Sequence, residues 1–149
     1  MTAEELCRRF AMEPHPEHGA FSERHYEHAG KGRPASGSIY YYVAPDERTD
    51  FHRIDCDEYW CYNGGSPLDI WVIAPDGGVS VRRLGICKDC EPFVYLPKGV
   101  IFASRHGEAV TEGTFLTCIT FPRFQYEGFE LFEKEEILAE YPQVKEFYE

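Results

Sequence analysis

His52 and Glu58 lie in neighbouring segments whose polarity alternates along the chain. Side chains two apart share a face of a strand, so His52 goes with Ile54, and Glu58 with Trp60 and Tyr62. If both faces look into one interior, imidazole and carboxylate meet within aromatic walls. Burial and mutual charge then move both pKa values towards neutrality, as a general acid–base pair requires. The same two groups are also half of a metal site, or a buried hydrogen-bonded pair with no further role. The run Tyr40-Tyr41-Tyr42 places Tyr40 and Tyr42 on the face of Ser38, and the hydroxyl of Tyr40 or of Tyr62 is the expected acid. Aromatic walls suit a planar or sugar-like ligand as well as a plain core. Phe102 shares a face with Ser104, and Cys118 shares one with Leu116 and Thr120. Cys118 is read as a small buried thiol that lines the pocket.

The other metal- and thiol-bearing patterns are weaker. Cys87-Lys88-Asp89-Cys90 has the spacing of a zinc knuckle or a redox pair. A zinc site needs a second pair, and Cys56 and Cys61 lie on strand-like sequence. Without an export signal the cysteines are expected to be free thiols. His15, His18, His25 and His28 are expected at the surface, because prolines or strand alternation break the helical spacing that would let them chelate. His106, in a turn beside Gly107, is expected to be exposed.

These groups must be positioned by strands. Alternating segments rich in Val, Ile, Tyr, Phe and Thr span 20–26, 38–44, 50–54, 58–62, 68–73, 79–84, 92–96, 100–104 and 114–121. Asp76-Gly77-Gly78 between two of them predicts a tight hairpin. Many short strands separated by turns imply an antiparallel sandwich or barrel over 19–122. Thr2 and Glu5 form a capping-box pattern opening a helix within 1–12, with Leu6 and Phe10 towards the body. Helical period returns over 133–149, interrupted by Pro142. The expected architecture is all-β with short terminal helices, in a single domain spanning 1–149.

Composition excludes several classes. The 149 residues carry 15 basic against 26 acidic side chains, a formal net charge of −11. Such a surface repels phosphate backbones and anionic lipids, and Arg8-Arg9 and Arg82-Arg83 are too short to offset it. No apolar run approaches the ~20 residues of a membrane span. With 43% hydrophobic and 15% aromatic residues, the chain is expected to be ordered, soluble and cytoplasmic, with neither nucleic acid nor membrane as partner.

The segments Phe51-His52-Arg53, Asp57-Glu58-Tyr59-Trp60 and Gly64-Gly65-Ser66-Pro67-Leu68 resemble the first motif of the cupin superfamily. Leu96-Pro97-Lys98-Gly99 resembles the turn of the second. His15-Pro16-Glu17, Gly19, Phe21 and Glu23 resemble the opening pattern of the small single-domain cupins of the fifth group. Ser36 to Tyr40 and Pro122, Phe124, Tyr126, Phe129 and Glu130 match later blocks of that group, in order, from about Met12 to Tyr141. The resemblance implies a cupin-type antiparallel β-barrel, or jelly roll, and a homodimer. It also implies that a metal, where one is bound, uses His52 and Glu58. The two remaining ligand positions of metal-binding cupins fall on Ile54 and Phe102, so no cofactor is expected. His18 stands where the group has glycine.

The sequence therefore points to a cupin that binds a small organic molecule in an aromatic-lined pocket, with isomerase- or epimerase-type acid–base chemistry. The expected catalytic residues are His52 as base, Tyr40 as acid and Glu58 tuning the imidazole. Trp60, Tyr62, Phe102, Cys118, Glu23 and Arg53 are the expected ligand contacts, with Arg53 and Arg105 the candidate clamps for an anionic group. A non-catalytic binding module and a metal-dependent cupin enzyme are the alternatives.

Overall fold

The computed structural model describes residues 2–26 and 31–149. His28, expected at the surface, lies outside them. The chain opens with helix α1 (Ala3–Arg9), started by the expected capping box. The Glu5 N–H donates to Thr2 Oγ1 and the Thr2 N–H to Glu5 Oε2. Eleven strands follow: β1 (Glu13–Pro14), β2 (Ala20–Tyr26), β3 (Gly37–Val43), β4 (His52–Ile54), β5 (Asp57–Gly65), β6 (Leu68–Ile73), β7 (Val79–Leu84), β8 (Phe93–Leu96), β9 (Ile101–Arg105), β10 (Thr114–Phe121) and β11 (Phe129–Leu131). Helix α2 (Lys134–Glu140) and a 3-10 segment (Pro142–Tyr148) close the described chain.

The strands pair antiparallel in two sheets. One has the order β1-β2-β3-β10-β5-β8 and the other β11-β4-β9-β6-β7. The β6–β7 hairpin turns where expected, with Ile73 opposite Val79 and the Gly78 N–H donating to Asp76 Oδ1 at 2.9 Å. Gly77 takes φ +86°, a conformation open to glycine but costly for most residues.

Each sheet sends alternate residues into a shared core. Tyr41, Trp60 and Leu116 from one sheet meet Leu68, Ile70 and Phe102 from the other. The five-stranded sheet is buried on its second face too. Phe51, Ile101 and Ala103 there pack against Ile137, Val144 and Phe147 of the C-terminal segment. That double burial explains why β9 reads as a nearly continuous apolar run. No helix among the described residues is long and apolar enough to cross a membrane.

Two expectations are corrected. Cys87 and Cys90, in the loop after β7, are joined by a disulfide rather than being free thiols. Their Cα atoms stand 4.9 Å apart, within the range such a bond requires. His106 is buried rather than exposed. The Thr114 hydroxyl donates to the Ser66 carbonyl, so its oxygen accepts from His106 Nε2 at 3.0 Å.

Candidate functional site

The turn between β1 and β2 delivers the site's first two groups. The His15 N–H donates to the Gly19 carbonyl and the His18 N–H to the His15 carbonyl, folding the chain sharply back. His18 and Gly19 both lie in the left-handed region, at φ +74° and +77°. His18 thus adopts the backbone conformation that glycine reaches without strain. Gly19 has a second constraint, because a Cβ there would stand 2.8 Å from the Tyr41 ring. The Tyr41 hydroxyl donates to the His18 carbonyl at 2.6 Å and fastens the turn to β3. Glu17 is thereby carried inside, where only 5% of it is exposed.

His52 opens β4, and its two ring nitrogens are both committed. Nδ1 is 2.9 Å from the Asp50 carbonyl, an oxygen that can only accept, so Nδ1 carries a proton. Nε2 is 2.8 Å from Glu17 Oε2. Burial opposes the charge on both partners, but their attraction outweighs it. Glu17 is held below the usual carboxylate range and His52 above the usual imidazole value. The pair is an imidazolium and a carboxylate, both nearly closed off from solvent. Phe102 buttresses the imidazole, with ring centroids 4.2 Å apart.

Glu58 arrives from the other sheet. It lies opposite Thr120 of β10, and its Oε1 accepts from Trp60 Nε1 at 2.9 Å. Burial pushes its carboxyl up to about 7, with the Glu17 charge adding to the rise and the His52 charge and the Trp60 N–H opposing it. Two carboxylates beside one imidazole are therefore driven to different protonation states, a recurrent mark of functional sites. Cys118, buried and next to Glu58, has its thiol pushed well above its ordinary value, first by burial and then by the Glu58 charge. It is no nucleophile in this setting.

These groups line a cavity of about 400 Å³. His15, Glu17, His52, Glu58, Cys118 and Thr120 supply polar surface, and Phe21, Ile39, Ile54 and Phe124 supply apolar walls. At its more exposed side, Arg123 pairs with Glu23. The volume falls within the range of small-molecule sites.

Of the residues expected from sequence, His52, Glu58, Cys118 and Glu23 line this cavity, while Trp60 and Phe102 support it from behind. Tyr40 does not reach it. That ring packs outside the sheet against Phe10 and Phe115, because strand parity turns Tyr41 inward instead. Tyr62 donates to the Gly65 carbonyl, and Arg53 pairs with Glu130 at 2.7 Å, both away from the cavity lining. Arg105 donates to the Phe147 carbonyl, also elsewhere. His15, expected at the surface, is a wall of the cavity with its side chain 8% exposed. His18 does lie at the surface, beside Asp50.

The metal-binding pattern fails on donor chemistry. Ile54 and Phe102 offer no lone pair, and both nitrogens of His52 are engaged. Among the described residues, no group of three or more His, Cys, Asp or Glu side chains is placed to hold an ion. The residues do not fit that group.

Two antiparallel sheets enclosing a polar cavity define a cupin-type jelly roll, and comparisons place the chain more narrowly. Residues 4–132 match the family described as Cupin superfamily (DUF985), and the chain belongs to that family. Protein SO0799 from Shewanella oneidensis is similar over 98% of this chain and 94% of its own, with 30% identity and TM-score 0.91. A hypothetical protein from Leishmania major is similar over 96% and 94%, with 28% identity and TM-score 0.87. Oxalate decarboxylase from Bacillus subtilis shares the fold alone, at 14% identity and TM-score 0.63, over 89% of this chain and 35% of that one. No curated protein matches the sequence.

Proposed function

We propose that the cavity binds a small organic molecule and exchanges a proton on the carbon beside its carbonyl group. The observation that carries this reading is the split between Glu17, held anionic against His52, and Glu58, pushed up to about 7. A carboxyl near 7 is matched to take and return a proton at neutral pH. His52 has both ring nitrogens engaged, so it acts through space. Its positive charge, paired with Glu17 in the cavity wall, lowers the energy of the enolate-like oxygen without a direct hydrogen bond to it. These roles differ from those expected from sequence, where His52 was the base and Tyr40 the acid. The Trp60 N–H holds the Glu58 carboxyl in place, and no step needs a metal ion.

The test is hydrogen–deuterium exchange at the α-carbon of small ketones and hydroxyketones in D2O, followed by proton NMR. Catalysed exchange that falls about 100-fold in Glu58→Gln supports the proposal. Saturable binding without exchange makes the chain a binding module instead.

We also propose that the chain works as a soluble single-domain homodimer. Strand β8 is a sheet edge whose Phe93 and Tyr95 stay half exposed, and a two-fold pairing would cover it. Sedimentation equilibrium at micromolar concentration should give twice the chain mass, and the mass of one chain overturns this.

A further inference from the structure

We infer that the occupant of the cavity is an uncharged compound whose carbonyl oxygen is taken by the Nε2–H of His15. This rests on the proposal that the cavity binds a small molecule, and it names the class. The Glu17 backbone N–H donates to His15 Nδ1 at 3.2 Å. A nitrogen that accepts carries no proton, so the neutral ring holds its hydrogen on Nε2. Burial keeps the ring neutral, pushing its pKa down. Phe21 and Tyr41 flank the ring at 4.8 and 5.8 Å between centroids, and the side chain is 8% exposed. No hydrogen bond from Nε2 occurs among the described residues, although the ring lines the cavity. The donor faces the open cavity with no acceptor among those residues, so a ligand oxygen entering there finds a hydrogen-bond partner already in place.

Charge selects among oxygen-bearing ligands. The two cations of the lining, His52 and Arg123, are each tied to a carboxylate, Glu17 and Glu23. Glu13 and Glu58 add two further acidic groups. Among the described residues of the lining, a carboxylate or phosphate ligand finds no spare cation and must displace a carboxylate to obtain one. A cationic ligand suits the acidic lining but gives the His15 donor nothing to bond. A neutral amide, lactone or ketone satisfies both conditions, and Phe21, Ile39, Ile54 and Phe124 take its apolar body.

Benzamide, benzoate and benzylamine share one skeleton and differ in charge, so they serve as probes by titration calorimetry and nitrogen NMR of the histidine rings. The expected result is saturable benzamide binding that shifts His15 Nε2, with benzoate and benzylamine at least about tenfold weaker. In His15→Phe, benzamide affinity should fall about tenfold, and His15→Gln, which keeps a donor, should recover part of it. Benzoate or benzylamine binding as tightly as benzamide overturns the inference and leaves a ligand-binding cavity intact. Equal benzamide affinity in wild type and His15→Phe does the same. No binding by any of the three probes, with the rings unshifted, overturns the binding reading together with the inference.

Discussion

Phe51 and His52 are consecutive, both buried, and face opposite sides of the five-stranded sheet. On the Phe51 side, Phe147, Val144 and Ile101 form a close-packed apolar cluster. On the His52 side, the Glu17–His52 pair and a carboxyl pushed up to about 7 border about 400 Å³ of open space. One face is packed throughout by dispersion and water exclusion; the other shares the apolar core but around His52 gives way to charge balance beside a space left unfilled. A single thin sheet can therefore anchor rigidly on one side what it exposes to chemistry on the other.

That contrast can be broken most severely from the packed side. Phe51→Ala should cost about 4 kcal/mol in denaturant unfolding, through lost burial and the cavity left behind. It should leave the pH dependence of stability unchanged, and a changed pH profile would show the two faces to be one unit. On the polar side, Glu17→Ala should cost a similar amount, about 4 kcal/mol, because it strands the His52 charge. Here the double variant Glu17→Ala/His52→Phe should recover much of the loss, since no buried charge remains. Failure to recover would mean that the pair contributes packing rather than charge.

The smallest effect sharpens the comparison by pH. Glu58 holds its proton up to about 7 in the folded state, against 4.5 for an unperturbed glutamate. Its raised value makes the folded state bind the proton more tightly than the unfolded chain does. Stability from this group is present below about 4.5 and is lost as pH rises to about 7, on the order of 3 kcal/mol in all. His52, raised as well, adds a loss in the same direction above about 6.5. Glu17, lowered, acts oppositely and loses its contribution as pH falls below about 4.5. His15 and His106, lowered by burial, contribute stability that grows as pH rises to about 6.5. The check is therefore a difference: from pH 4.5 to 7 the unfolding midpoint of wild type should lose ground steadily relative to that of Glu58→Gln.

The long alternating strands were legible because period two and half-burial leave the same trace in sequence and in space. All nine expected segments contain a strand, with ends moved by a few residues. Strands β1 and β11 were not, being two and three residues long with no period to read. The same parity put His52 and Glu58 on facing walls, yet it could not choose among three consecutive tyrosines. Tyr41 is inward only because β3 pairs Leu116 with it, a fact of register that composition does not carry. His15 was misjudged for a related reason. Prolines beside it ruled out a helix and suggested exposure, whereas the turn they belong to folds inward onto Tyr41. Its spacing to Glu17, ahead of Gly19 and Phe21, was the available signal.

The turn bearing His15 and Glu17 belongs to no long strand, and it is moored to the barrel by the Tyr41–His18 hydrogen bond and the Asp50–Glu17 backbone contact. The molecule is thus built like a socket with a removable insert. The barrel contributes His52 and Glu58, while five consecutive residues, 15 to 19, bring the counter-charge and the vacant donor. Exchanging that short insert would re-specify what the protein recognises without asking either sheet to refold.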